Sequence, residues 1–237
     1  MSNTYFQFKQ FRINQDRCAM KVTTDACILG AWTPLLPGVK KVLDIGTGTG
    51  LLSLMLMQRN PGIRMDAVEL EKEAREQAAE NMKNSIWHDG VKVIEADIKD
   101  YRPGNKYDLI ISNPPFFNNS LLSNKDTDNL ARHTLSLSYS ELLEVIKYNL
   151  SDNGYASVLL PCPGYFQFYE LINRIGLYEA RKLMIRHNAH SEVKRVITVF
   201  GKPKSVESVS CELVIKEDGQ NYTAAFKELL SPFYLYL

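Results

Sequence analysis

From about residue 40, short β-rich runs alternate with helical runs, and this alternation restricts the fold more than any other feature of the chain. Residues 41–45, 64–70, 91–96, 107–112 and 155–160 read as strands. Residues 51–59, 71–86, 139–150 and about 164–175 read as helices between or after them. Asn60-Pro61-Gly62 and Asp152-Asn153-Gly154 are the stop signals of two of these helices. Such alternation predicts a mostly parallel sheet with helices on both faces, an α/β architecture of the Rossmann-like kind. Three further β-like runs, 178–186, 195–200 and 209–215, have little helix between them and suggest an antiparallel C-terminal edge. A length of 237 residues suits one large domain over residues 39–237. Residues 1–38 precede the first core strand, and Phe6, Phe8 and Phe11 mark them as a segment packed on that domain. Residues 117–135 are polar, without a clear period, and long enough for a functional loop.

Between the first strand and first helix lies Asp44-Ile45-Gly46-Thr47-Gly48-Thr49-Gly50. Glycines allow the backbone to pass tightly beneath a ligand. The spacing is G-x-G-x-G, which disfavours a nicotinamide oxidoreductase, whose turn is G-x-G-x-x-G. Asp44, two residues before the first glycine, favours a ligand carrying positive charge, and S-adenosylmethionine has a sulfonium and an ammonium group. Glu69 closes the second strand and suits two ribose hydroxyls. Asp97 closes the third and suits an adenine amino group. Each acid alone is equally a helix cap or a surface charge. Together, at the C-terminal ends of three successive strands, they point to the ligand edge of an open α/β sheet. Gly46, Thr47, Gly48, Gly50, Asp44, Glu69 and Asp97 are therefore the expected cofactor residues.

The fourth strand ends in Asn113-Pro114-Pro115-Phe116, the expected catalytic segment. Proline fixes φ, and the residue before a proline is held extended. The Asn113 side chain and the Pro114 carbonyl are thus held in fixed directions, as two acceptors for the two hydrogens of one amino group. An adenine amino lone pair is delocalised into the ring. Acceptors that favour a more tetrahedral nitrogen return the lone pair to it, mainly in the transition state. Phe116 is placed to stack on the base, which must be turned out of any stack to enter. An isolated segment of this kind is also compatible with a proline-terminated strand of no catalytic use.

These residues resemble the class I methyltransferases that act on exocyclic amino groups. The leader carries Asp16-Arg17-Cys18-Ala19-Met20-Lys21-Val22, followed by Thr24-Asp25 and Leu29-Gly30-Ala31-Trp32. That stretch resembles the N-terminal signature of the bacterial tRNA(Val) adenine-N6 methyltransferases, which modify the adenine 3′ of the anticodon. The resemblance implies a seven-stranded sheet with one antiparallel strand. It also implies S-adenosylmethionine as methyl donor, S-adenosylhomocysteine as product, no metal, and tRNA as acceptor. It further implies that residues 21–25 close over the methionine end of the cofactor, with Lys21 and either Thr23 or Thr24 bonding its carboxylate. Protein glutamine-N5 and rRNA guanine-N2 methyltransferases share the catalytic logic, and a non-catalytic partner protein could keep the fold. The first would usually carry a separate substrate domain, and the second lacks this leader.

The formal net charge is only +1, so an RNA partner has to be held by a local patch. Arg181, Lys182, Arg186, Lys194, Arg195, Lys202 and Lys204 gather near the C-terminal strands. Both phosphate binding and a charged, solubilised sheet edge fit that cluster. Arg186, Lys194 and Arg195, together with Arg132 and His133 in the polar loop, are the expected substrate contacts. Cys18, Cys27, Cys162 and Cys211 form no C-x-x-C pair, which disfavours a zinc or redox site. With no signal peptide or bilayer-length apolar run, the expectation is a cytoplasmic protein off the membrane, and a monomer.

Overall fold

The computed structural model describes residues 3–115, 137–202, 208–217 and 219–237. Among the described residues there are ten strands: β1 Tyr5–Gln7, β2 Arg12–Asn14, β3 Lys41–Ile45, β4 Arg64–Glu69, β5 Val91–Glu95, β6 Tyr107–Ser112, β7 Leu150–Pro161, β8 Tyr178–Arg186, β9 Val193–Gly201 and β10 Val209–Val214. The helices, numbered in chain order, are α1 Thr24–Trp32, α2 Leu51–Arg59, α3 Lys72–Lys83, α4 Tyr139–Asn149, α5 Cys162–Arg174 and α6 Ala224–Leu230. The main sheet has eight strands in the order β10-β8-β9-β7-β6-β3-β4-β5.

Strands β3 to β7 are mutually parallel, β9 is antiparallel to both β7 and β8, and β10 is parallel to β8. One antiparallel strand is therefore inserted into an otherwise parallel sheet. The C-terminal edge is antiparallel only through β9, because the connection from β9 to β10 crosses over β8. The sheet gains an eighth strand beyond the seven that the resemblance implies, because Val209–Val214 extends it past β8.

The β3 sequence explains why both faces are covered. Val42 joins a core cluster with α1, α2 and α6, while its neighbour Leu43 joins a second cluster with α4 and α5. Successive side chains of a strand point to opposite faces, so an apolar run such as Val42-Leu43 needs helices on both. Helix α2 is buried from Leu51 through Met57, consistent with its having no polar face.

Two boundaries differ from the sequence expectation by three residues or more. Asp152-Asn153-Gly154 does not end a helix. It lies within β7, where the register with β6 shifts between Tyr107 and Leu109, so the turn-prone residues form an irregularity inside the strand. Helix α3 ends at Lys83, three residues short of the expected limit, with Asn84 as its cap.

The leader forms the hairpin β1–β2. Phe8 is fully buried and stacks on Phe11 at 4.5 Å, and both belong to the same core cluster as α1 and α2. No described helix is long and apolar enough to cross a membrane.

Candidate functional site at the C-terminal sheet edge

The glycine turn follows β3 and precedes α2. Gly46 and Gly48 have φ of +67° and +56°, a region that a side chain rarely tolerates. A Cβ on either would meet nothing within 4 Å. The space that their missing side chains leave is open. Backbone hydrogen bonds from Gly46 and Thr47 to the Val68 carbonyl (2.9 and 3.1 Å) tie the turn to β4. The Glu69 carboxylate accepts from the Gly48 N–H at 2.9 Å and from the Glu71 N–H at 3.0 Å.

Asp44 sits beneath this turn and is fully buried. Its Oδ2 accepts from Thr47 Oγ1 (2.7 Å) and Ser53 Oγ (2.8 Å). Its Oδ1 is buried with no hydrogen-bond partner among the described residues. Burial pushes this carboxyl up to about 6, against the two hydroxyl donors that pull it down, and the nearby Glu69 charge raises it further. Asp44 thus holds the shape of the turn from below and contributes an unmet negative charge. It does not itself form a cavity wall.

Two cavities open above the strand ends and meet at Gly46. The first is walled by Glu69, Leu70, Asp97, Ile98, Pro114 and Pro115. The second is walled by Met20, Lys21, Val22, Gly48, Thr49 and Asn113. Gly46 lines both. In the first, Glu69 and Asp97 present carboxylates beside apolar walls. Asp97 accepts from the Lys99 N–H at 2.9 Å and has the Lys99 ammonium 3.6 Å away. Asn113 follows β6, where Ser112 Oγ donates to the Ile45 carbonyl at 3.0 Å and locks β6 to β3. The Asn113 amide donates to Met20 Sδ at 3.6 Å, and its Oδ1 is buried without a partner among the described residues.

The leader reaches this site through polar groups that the sequence pattern did not single out. Asn81, on the buried face of α3, donates to the carbonyls of Asn14 (2.9 Å) and Thr49 (2.8 Å) and accepts from the Asn14 N–H (2.9 Å). Gln77 accepts from the Arg17 N–H at 3.1 Å, and Gln15 accepts from the Val22 N–H at 2.9 Å. Polar side chains on the inward face of an amphipathic helix were the available signal. They are costly there unless each is hydrogen-bonded, so they indicate a chain segment lying across that face.

Other expected residues are placed differently. Thr23 caps α1, its side chain accepting from the Ala26 N–H at 3.2 Å, and Thr24 bonds to Tyr234. Neither lines either of these two cavities, and both are drawn into the start of α1. Gly50 is the N-cap of α2, with φ +83°. Phe116, Arg132, His133 and Lys204 lie outside the described residues.

The basic cluster does not form one patch. Arg186 bonds Glu212 at 2.7 Å and Arg195 lies 3.3 Å from Asp25, while Lys194 is exposed. Strand register places these three at the same sheet edge as the cavities, since Arg195 faces Pro161 at the end of β7. Lys202 sits at the far edge, bound to Asp152 at 3.1 Å. Arg181 covers the Trp32 ring at 4.3 Å, and Lys182 bonds Tyr165 at 3.0 Å. Residues close in sequence are spread along strands of opposite direction, which separates them in space.

Comparison with known proteins identifies this arrangement. Residues 33–144 match the family described as methyltransferase small domain. Over 236 residues the chain is 40% identical to the tRNA1(Val) (adenine(37)-N6)-methyltransferase of Dyadobacter fermentans, covering 98% of each chain. The chain belongs to the tRNA1(Val) (adenine(37)-N6)-methyltransferase family. Its relative in Trichodesmium erythraeum is 41% identical over 239 residues, covering 99% of each. That in Proteus mirabilis is 37% identical over 237 residues, covering 98% of this chain and 94% of the other.

Solved structures agree on the fold. A predicted O-methyltransferase from Agrobacterium tumefaciens has a TM-score of 0.65 at 16% identity, covering 88% of this chain and 96% of its own. A glycopeptide N-methyltransferase complexed with S-adenosylmethionine has a TM-score of 0.57 at 11% identity, covering 78% and 97%. The protein is an S-adenosylmethionine-dependent methyltransferase of class I fold.

Proposed function

We propose that this methyltransferase transfers a methyl group from S-adenosylmethionine to the N6 amino nitrogen of the adenine 3′ of the anticodon in a valine tRNA. The observation that carries this reading is the buried Oδ1 of Asn113, without a partner among the described residues, at the wall of a cavity continuous with the glycine turn. Full-length relatives named for tRNA adenine-37 methylation supply the acceptor.

The donor set fits the cofactor. Two glycines leave open space where side chains would stand. Glu69 and Asp97 offer hydrogen-bond acceptors in the first cavity for ribose hydroxyls and the adenine amino group. Lys21 in the second cavity offers a cation for the methionine carboxylate. Buried Asp44 contributes negative charge below the turn. When bound, S-adenosylmethionine supplies an electrophilic methyl group on a sulfonium.

The protein's own part is to hold and activate the acceptor. Asn113 Oδ1 and the Pro114 carbonyl accept the two hydrogens of the adenine amino group, which draws its lone pair out of ring conjugation. This stabilisation grows toward the transition state, where it accelerates transfer. Phe116 stacks on the extruded base. Arg186, Lys194 and Arg195 lie at the edge from which tRNA phosphates approach, and Arg132 and His133, outside the described residues, are further substrate contacts. Residues 1–38 act as a leader packed on the catalytic domain, residues 39–237. A tRNA substrate supports a cytoplasmic location.

The direct test is incubation of the protein and S-adenosylmethionine with tRNA lacking the modification, followed by mass spectrometry of nucleosides. N6-methyladenosine in valine tRNA is the expected product, and methylation confined to protein glutamine or to guanine would overturn the reading. A second test addresses the cofactor site. Glu69→Ala removes the carboxylate that accepts from Gly48 and that is assigned to the ribose. Hydrogen bonds to a charged group contribute about 1.5–3 kcal/mol, so the calorimetric Kd for S-adenosylmethionine should rise at least about tenfold. An unchanged Kd would remove Glu69 from the site.

A further inference from the structure

A primary amide has two chemically opposite ends. One accepts hydrogen bonds and the other donates them, yet they are almost identical in shape. Asn113 precedes Pro114, so its backbone is held extended. The backbone therefore fixes where the amide sits but not which end faces the substrate. That choice falls to whatever touches the side chain.

Among the described residues, Met20 makes that contact. Asn113 Nδ2 donates to Met20 Sδ at 3.6 Å, while Oδ1 is buried and has no partner among the described residues. A thioether accepts weakly and carries no proton to donate. With the amide reversed, Oδ1 would face a second acceptor, and Nδ2 would take the place of the free oxygen. A donor in that place would repel the hydrogens of an incoming amino group.

Met20 is itself held in place. Gln15 and Gln77 accept from the backbone N–H groups of Val22 and Arg17, on either side of it. Met20 and Asn113 wall the same cavity.

We propose that Met20 is a positioning residue for methyl transfer. It acts as an acceptor-only contact that fixes the orientation of the Asn113 amide and leaves Oδ1 free for the substrate amino group. The inference rests on the function proposed above, and it makes the leader a participant in the chemistry as well as a wall of the cofactor site.

Met20→Leu tests it, because leucine keeps the bulk and removes the acceptor. Met20 is 43% exposed, so the exchange should leave thermal stability unaltered. The kcat for tRNA should fall about three- to tenfold, the effect of losing one modest hydrogen bond, with the Kd for S-adenosylmethionine unchanged. In 15N-labelled protein, the Asn113 side-chain amide signal, identified by its absence from Asn113→Ala, should shift in Met20→Leu. A wild-type kcat in Met20→Leu overturns the proposal, as does an unmoved amide signal. A kcat loss matched by an equal loss of cofactor affinity also overturns it, since Met20 would then be only a cavity wall. Wild-type protein inactive on tRNA is a separate result: it refutes the acceptor assignment, and it is seen before any variant is compared.

Discussion

Asn113→Ala is expected to lower kcat on tRNA by about 10²–10³-fold, the range seen when one preorganised hydrogen-bonding group is removed from a transition-state site. The reason is the difference between ground and transition states. An adenine amino group binds its acceptors while its nitrogen is still planar. The hydrogen bonds from that nitrogen strengthen only as it becomes tetrahedral and positively charged. Removing Oδ1 therefore costs more in the transition state than in the substrate complex, and the loss appears in kcat more than in KM. Alanine leaves the Pro114-Pro115 exit from β6 intact, so the Pro114 carbonyl remains as one acceptor. The cofactor Kd should stay within about tenfold, because what Asn113 adds as a wall of the second cavity is worth no more than a modest hydrogen bond. Rapid-quench kinetics beside calorimetric binding separates the two effects. An Asn113→Ala enzyme of wild-type kcat would show that the segment only terminates a strand.

Much of the fold around this site is legible in the sequence, and the part that is not has a physical pattern. The strands β3 and β6 were readable because parallel strands buried on both faces are largely apolar runs, as in Lys41–Ile45 and Tyr107–Ser112. The glycines were readable because open backbone at positive φ has one residue type that tolerates it. Helix α1 was not, because Thr24–Trp32 is buried from Ala26 to Gly30 and shows no 3.6-residue alternation. Its Thr23 cap is the only local trace of it. The two threonines expected to touch the cofactor, Thr23 and Thr24, form that helix start. The leader's path was also hidden. It depends on Gln77 and Asn81 meeting Arg17 and Asn14 across some sixty residues of sequence. Local pattern cannot show which buried amide finds which backbone group. The eighth strand was present as a β-like run, but direction within a sheet is a property of connections. Nothing in Val209–Val214 itself says that it runs parallel to β8.

The stability difference between wild type and Asp44→Asn is expected to change by about 2.5 kcal/mol between pH 4 and pH 8. Asp44 is raised from an ordinary 3.8 to about 6, chiefly by burial. A carboxyl whose folded value is raised holds its proton more tightly in the native state than in the unfolded chain. Its favourable contribution is complete below about 3.8 and is lost as pH rises through about 6. Wild type should therefore lose stability relative to the variant across that window, whatever constant offset the exchange adds. Such an offset is expected, since an amide nitrogen in place of Oδ1 finds no partner among the described residues. Urea unfolding at a series of pH values reads the change in the difference, which is free of the offset. A difference that stays constant from pH 4 to pH 8 would show that burial does not strain the carboxylate. The expected slope has a functional meaning. At neutral pH the fold carries an ionised group that destabilises it, in a place where a well-packed neutral residue would not. A group of that kind is retained when something else uses the charge. A sulfonium-bearing ligand above the glycine turn is such a use, so Asp44→Asn should also weaken S-adenosylmethionine binding at pH 8. Unfolding and calorimetry on the one variant thus read opposite faces of the same carboxylate.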